Sequence, residues 1–423
     1  MMTAAADVVP GARSVSTWPF FWLMASVFVV ALGYGVVLPI LPFFLERLLA
    51  DPGRFSVSWH VGVITAVYAF AMFLFAPLWG RLSDKVGRRR VILLGLGGFA
   101  VMLGAFGLSA DLWFAYASRI LGGLFASSIL PVASAYIADM GEPDLRARRF
   151  AWMGTAGLLG LLAGPMLGGW LADTGGQWTS VAGYMGVNPA SMPLFAAAAL
   201  GAAIWLFAYL EIPRFARNAP APPATRGSET AGDPRSVNVL LLLTLLMMFG
   251  LGSFEVGLTL HGLQKLSFGP DRLSQMFVAC MLVMIVTQAL VFPFLIRRWP
   301  VHVIAPAAFA VMAAGLILLP GALAFGWLLL AVGLVAAGSG LLAPILSYRI
   351  SLAGGAAQGV VLGNQSAASS LGQALGSVAG GVAFGVVPGL PDASFVLAGA
   401  FALAGAGLAL HMTARLGRIP VRE

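Results

Sequence analysis

Few residues in this sequence have the chemistry to do more than pack. Of its 423 residues 60% are hydrophobic and 9% charged, so an ionisable side chain deep in an apolar run stands out. One acid does so, in Phe254-Glu255-Val256. A charged residue at the centre of a membrane span costs about 2.5–3.5 kcal/mol on insertion scales unless it is neutralised, paired or wetted. Glu255 is therefore a candidate proton carrier. The alternative is a structural carboxylate, about 12 Å from the end of its helix at 1.5 Å per residue. Arg119 is a base at comparable depth in another run. It can pair with Glu255, cradle an anionic group of a ligand, or bond the backbone of a neighbouring helix. Tyr34, Tyr68, Phe254, Gln288 and Gln373 could line a cavity between helices, or simply pack within them. His261, near a span end, reads as interfacial. The lone Cys280 excludes an intramolecular disulfide and reads as a small buried hydrophobe.

A second stretch concentrates charge. Gly80-Arg81-Leu82-Ser83-Asp84-Lys85-Val86-Gly87-Arg88-Arg89-Arg90 holds five basic side chains and one acid between two apolar runs, as expected of a short cytoplasmic loop joining membrane helices. Asp84 and Arg88, four apart, can share a face of one helical turn. Gly80 and Gly87 allow close backbone approach and a left-handed turn residue.

These groups need a scaffold, and composition dictates its kind. So apolar a chain has too much hydrophobic surface for one water-soluble core, so it reads as a polytopic membrane protein. Hydropathy divides it into twelve spans. The expected organisation is a cytoplasmic tail over 1–17, a six-helix bundle over 18–212, a Pro-, Ala-, Arg- and Ser-rich cytoplasmic linker over 213–236, a second bundle over 237–412 and a tail over 413–423. The net charge of +8 follows from topology: nineteen Lys and Arg fall on the side of the termini, four on the other, and Arg119 lies within a span. A nucleic-acid partner has no support.

An internal repeat agrees with two bundles. Gly160, Gly164, Gly168 and Gly169 form a GxxxGxxxGG ladder in the fifth span, and Gly372, Gly376, Gly380 and Gly381 repeat it 212 residues later in the eleventh. Such ladders bring helix backbones close together. Duplicated bundles of this kind surround a central site in many transporters.

Four motifs carry a resemblance to a known family. Gly80, Asp84, Gly87 and Arg88 stand as in the loop between the second and third helices of the major facilitator superfamily. Gly160 and Gly164-Pro165-Met166-Leu167-Gly168-Gly169 resemble the fifth-helix motif of its drug:proton antiporter branch, a signature of exporters; the eleventh span has Ser377 where the proline would be. Arg119 with Gly122, Gly123, Ala126, Ser127 and Ser128 resembles the branch's fourth-helix arginine motif, and Asp139 to Arg146 resembles its following loop. The resemblance implies an all-α integral membrane protein with twelve transmembrane helices in two pseudo-symmetric six-helix bundles around a central cavity. It also implies a monomer in the bacterial inner membrane with both termini cytoplasmic, exporting small amphipathic compounds such as drugs, with antibiotic resistance as a consequence, by alternating access in exchange for protons. Asp84 would latch to the positive N-terminal end of helix eleven when the outer side is open, with Arg88, Asp139 and Arg146 exchanging charge partners as the halves rock. Many relatives carry an acid in the first helix. Here Val29-Val30-Ala31-Leu32 is apolar, and the chain offers Glu255 instead.

Enzyme readings lack parts: there is no GxxxxGK[ST] phosphate cradle and no Cys/His metal spacing. No cofactor is expected, and the proton gradient is the drive. One proton crossing about 100 mV releases roughly 2.3 kcal/mol, enough to hold a substrate gradient of about fiftyfold. An importer, a facilitator or a dedicated exporter of a metabolite or metallophore is the alternative, distinguished by the direction of pH-driven flux; a non-transporting receptor or scaffold is more distant.

Overall fold

In lipid every backbone N–H and C=O must be satisfied within the protein, so long apolar runs become helices. The computed structural model describes residues 17–49, 57–139, 143–173, 189–212, 234–354, 358–386 and 392–416, and no strand occurs among them. Twelve helical spans follow one another. In the first half these are α1 (Thr17–Leu48), α2 (Val57–Val86), α3 (Arg88–Gly107), α4 (Leu112–Ala126 continued by Ile129–Asp139), α5 (Pro143–Asp173) and α6 (Met192–Glu211). The second half holds α7 (Pro234–Gln264), α8 (Pro270–Val286, a π-helical turn Thr287–Val291, then Phe292–Arg298), α9 (Val301–Leu318), α10 (Phe325–Gly354), α11 (Gln358–Val386) and α12 (Ala393–Leu416). Eleven are long and apolar enough to cross a membrane. The remaining one, α11, is as long but carries Asn364, Gln365, Ser369, Ser370, Gln373 and Ser377.

The charged block departs from the expected loop. Helix α2 runs through Gly80 to Val86 and α3 begins at Arg88, leaving Gly87, at φ 98°, as the turn between them. Hydropathy marks where the membrane ends, while Arg, Leu and Lys continue a helix well in water. Gly80 is thus a helical residue facing open space, and Asp84 and Arg88 lie on different helices, paired across the turn at 2.5 Å. Helix α4 is interrupted where a single span is expected. Pro131 has no N–H to offer the Ser127 carbonyl, and the hydroxyls of Ser127 and Ser128 turn back to the Leu124 and Phe125 carbonyls at 2.7 and 2.8 Å.

The repeat is realised in packing. A methyl group at Gly164 would stand 2.6 Å from the Leu32 carbonyl oxygen, and one at Gly160 would collide with that of Phe28, so the ladder seats α5 on α1. On the other side Gly372 and Gly376 seat α11 on the Leu245 and Phe249 carbonyls of α7. The last glycine of each ladder crosses to the other half. Gly381 meets Gly62 and the Ser58 carbonyl of α2, and Gly169 meets Ser274 of α8.

These crossings close one end of the molecule, where α2 and α8 begin. Gln264 adds a 2.8 Å hydrogen bond to the Ser58 hydroxyl there. Towards the end bearing the α2–α3 turn the same two helices show no such crossing: a methyl at Gly80 on α2 or Gly363 on α11 would meet nothing within 4 Å, and Tyr348 and Val360 are 50% and 67% exposed. The expected tail over 1–17 (save Thr17), most of the linker over 213–236 and much of the C-terminal tail lie outside the described residues.

Substituting Gly381→Val forces side-chain volume between α2 and α11. Overpacking costs about 1–3 kcal/mol, enough to tilt a two-state equilibrium roughly ten- to a hundredfold. A Ser58→Cys reporter, at a position 1% exposed in the closed seam, should in that background be alkylated by a water-soluble maleimide that much faster than in the parent sequence.

Candidate functional site

The halves also meet midway along the bundle, around one carboxylate. Helix α7 buries Glu255 to 4% exposure, two residues beyond the Ser253 that contacts Gly380 of the ladder. Gly252 lets α11 come close, since a methyl there would stand 3.1 Å from the Gln373 Cα. Gln373 consequently donates from Nε2 to Glu255 Oε2 at 2.7 Å and to the Tyr34 hydroxyl at 2.6 Å. Tyr34, carried by α1, donates in turn to Glu255 Oε2 at 2.6 Å. Three helices thus converge on one acid, and the Tyr34 bond joins the two halves.

Two donors aimed at a single oxygen are what an ionised carboxylate accepts. A proton placed on Oε2 would compete with them and displace at least one. The junction between halves is therefore made through one oxygen of Glu255.

Arg119 completes the group without an ion pair to Glu255. Its guanidinium lies over the Tyr68 ring at 4.3 Å and the Phe106 ring at 5.2 Å, and its Nε is buried with no hydrogen-bond partner among the described residues. Tyr68 stacks on Tyr34, ring centroids 5.8 Å apart. A continuous series, Arg119, Tyr68, Tyr34, Glu255 and Gln373, spans the bundle with two aromatic rings between base and acid.

Five of the residues named from the sequence are therefore brought together, and others are not. Phe254 is fully buried in the hydrophobic core, and Gln288 sits half-buried on the π turn of α8. Asp84 is 62% exposed and pairs with Arg88, which also donates to the Ser83 hydroxyl at 2.5 Å. In this conformation Asp84 is engaged within its own half. Asp139 ends α4 and Arg146 lies in the first turn of α5, but their side chains lie outside the described ones. Gly160, Gly164, Pro165, Gly168 and Gly169 form the α1-facing and α8-facing surface of α5.

His261 lies in the last turn of α7, near the span end where the sequence puts it, and is buried among neighbouring helices, its Nδ1 3.3 Å from Asp392 Oδ1, with Lys265 bound to the same carboxylate and Phe395 edge-on at 5.8 Å. Phe106, the second ring under Arg119, and Ser58, the acceptor at the closed end, carry no sequence signal. Phe106 acts across the turn between consecutive helices, and Ser58 through a contact with Gln264 on the other half.

A closed pair of helical bundles with a polar group at their junction is a transporter architecture, and the comparisons agree. The Major Facilitator Superfamily profile matches residues 23–377, and the chain belongs to that family: it is a multi-pass membrane transporter and not an enzyme. It is similar to Multidrug resistance protein 2 of Bacillus subtilis, 27% identical over 368 residues, 84% of this chain and 86% of that one. The Tetracycline resistance protein, class B, of Escherichia coli is 36% identical over 143 residues, 34% of this chain and 35% of that one. Quinolone resistance protein NorA of Staphylococcus aureus is 26% identical over 262 residues, 60% and 61% of the two chains. Among solved structures, the human organic anion transporter MFSD10 superposes with a TM-score of 0.67 at 23% identity, covering 94% of this chain and all of that one. An inward-facing bacterial homologue of the lysosomal transporter Spinster gives 0.75 at 14% identity, covering 97% of this chain and all of that one.

Removing one donor leaves the buried carboxylate under-satisfied, at about 1–3 kcal/mol. Gln373→Leu and Tyr34→Phe should each lower the thermal unfolding midpoint in detergent. Combined with Glu255→Leu, which removes the group they serve, either substitution should cost less than it does alone.

Proposed function

We propose that the chain exports small amphipathic compounds across the bacterial inner membrane in exchange for protons, with Glu255 carrying the proton. The observation that carries this reading is the Tyr34–Glu255 hydrogen bond, because it ties proton occupancy of one acid to the contact between the two halves. Ionised, Glu255 holds α1 and α11 against α7. Protonation weakens that hold and frees the halves to rock.

The drug substrate class is supported by the multidrug, tetracycline and quinolone resistance proteins among the relatives, and export by the Gly164–Gly169 motif. The excess of basic residues on the side of the α2–α3 turn makes that side cytoplasmic, with both termini there. The closed end then faces outward, and the described conformation opens to the cytoplasm. In the opposite state Asp84 would leave Arg88 for the N-terminus of α11, locking the cytoplasmic side. Arg119 places a positive charge beyond the two tyrosines, which disfavours cationic substrates close to it. A single chain contains both halves and the whole site, so a monomer suffices.

The test is reconstitution in liposomes with an imposed pH gradient. Adding ethidium or another fluorescent amphiphilic cation, or a neutral or zwitterionic amphiphile, should move protons only when that compound is a substrate. Glu255→Gln should abolish the substrate-dependent proton movement, and the pH dependence of transport with it, while exchange of labelled for unlabelled substrate persists. Proton movement undiminished in the variant would place the carrier elsewhere; substrate movement without protons would make the protein a facilitator.

A further inference from the structure

The repeat makes two seams between the halves, and they are not equally tight. Where Gly381 of α11 meets α2, its partner is Gly62, and the backbones touch. The corresponding partner of Gly169 at the α5–α8 seam is Ser274, whose Cβ and Oγ would lie 2.7 and 3.0 Å from a methyl group at Gly169. A serine in place of a glycine holds the helices apart. A cavity of about 460 Å³ opens beside it, with Pro165, Met166 and Trp170 on α5 and Asp271, Gln275 and Leu282 on α8 among its walls.

Three features give this cavity the character of a ligand site. Its mouth is apolar and turned outward from the bundle: Met166, Trp170 and Leu282 are 54%, 65% and 47% exposed. Its polar end carries a carboxylate, Asp271, in the first turn of α8, while the adjacent base, Arg272, is drawn away over the Phe325 ring of α10 at 5.5 Å. On its wall, Ser274 is 3% exposed and its hydroxyl has no hydrogen-bond partner among the described residues. A buried hydroxyl with no partner is costly, and an N–H donor seated in the pocket would relieve that cost.

We propose that this seam pocket binds an amphipathic ammonium ion from the bilayer. The cationic head is held by the Asp271 carboxylate and the Trp170 indole, and the apolar body lies along Met166 and Leu282. Asp271 and Trp170 both line the pocket, and a carboxylate and an aromatic face each attract an ammonium group, more strongly where water is excluded. One wall belongs to each half, so a ligand seated here stabilises the conformation in which this end is closed. The pocket is separate from Glu255 and the proposal does not depend on proton coupling. The ammonium can come from the ethanolamine head of a lipid or from a freely partitioning cationic amphiphile.

The full-length Gln275→Cys protein, in nanodiscs of phosphatidylglycerol, tests this. Gln275 is exposed at the pocket and the native Cys280 is fully buried, so maleimide reports on the introduced thiol. Dodecyltrimethylammonium should slow alkylation, and dodecyl sulfate at the same concentration should not. Adding Asp271→Asn or Trp170→Ala should raise the concentration for half-protection about tenfold, the loss of one cation contact. In a Glu255→Gln background Asp271→Asn should still raise it about tenfold, which separates this pocket from the central site. Replacing part of the phosphatidylglycerol by phosphatidylethanolamine should protect the thiol without any probe if the lipid is the natural source, and should do nothing if a free amphiphile is. Protection that is equal with dodecyl sulfate, or that survives both Asp271→Asn and Trp170→Ala, overturns the proposal.

Discussion

A carboxylate cannot sit between two apolar bundles without donors, and the donors of Glu255 come from both. Tyr34 reaches it from α1 and Gln373 from α11, so satisfying one acid fixes the relation of three helices. The glycine ladders are what make this possible. They press α5 onto α1 and α11 onto α7, and Gly252 brings the Gln373 backbone close enough for its short amide side chain to reach both Tyr34 and Glu255. Bulkier ladder residues would widen the bundle and leave the acid to water, where its protonation would no longer bear on the contact between halves.

The placement of Arg119 follows the same logic. A buried Arg–Glu ion pair would be hard to break, because separating it strands a charge in a low dielectric. Here the base is held by the faces of Tyr68 and Phe106 instead, and reaches Glu255 only through the Tyr68–Tyr34 stack. Cation–π contacts of this kind are worth on the order of 2 kcal/mol when desolvated, enough to hold the arginine without a carboxylate. Base and acid are thereby held apart by two aromatic rings rather than locked in an ion pair.

Much of this was legible in the sequence, and the limits have physical causes. Span count, duplication and the isolation of Glu255 and Arg119 follow from hydropathy and spacing, because lipid imposes length and polarity on every helix. Helix ends do not follow. Hydropathy cannot see that α2 continues through Arg81, Asp84 and Lys85 to Val86, nor that α8 contains a π turn. Which of two adjacent residues faces the junction is also hidden: Phe254 and Glu255 are neighbours, yet one packs in the core and the other meets α1 and α11. The partners of His261 are hidden for the same reason, since Asp392 and Phe395 lie more than a hundred residues away in the chain.

The chemistry lies where the duplication has been broken. Leu32 of α1 and Phe249 of α7 occupy equivalent places, each meeting the second glycine of a ladder with its carbonyl. Counting on from them, the counterpart of Glu255 is Leu38 and the counterpart of Tyr34 is Leu251, both buried and apolar. A symmetric pair of acids would have placed two like charges at one junction, each raising the cost of ionising the other. One acid and one phenol, a turn apart on opposing helices, instead make a single donor–acceptor contact across the axis of the repeat. The seams show the same asymmetry, with Gly62 in one and Ser274 in the other. Duplication supplies two matching halves, and the unpaired substitutions give their junction a single acid and one of the two seams a pocket.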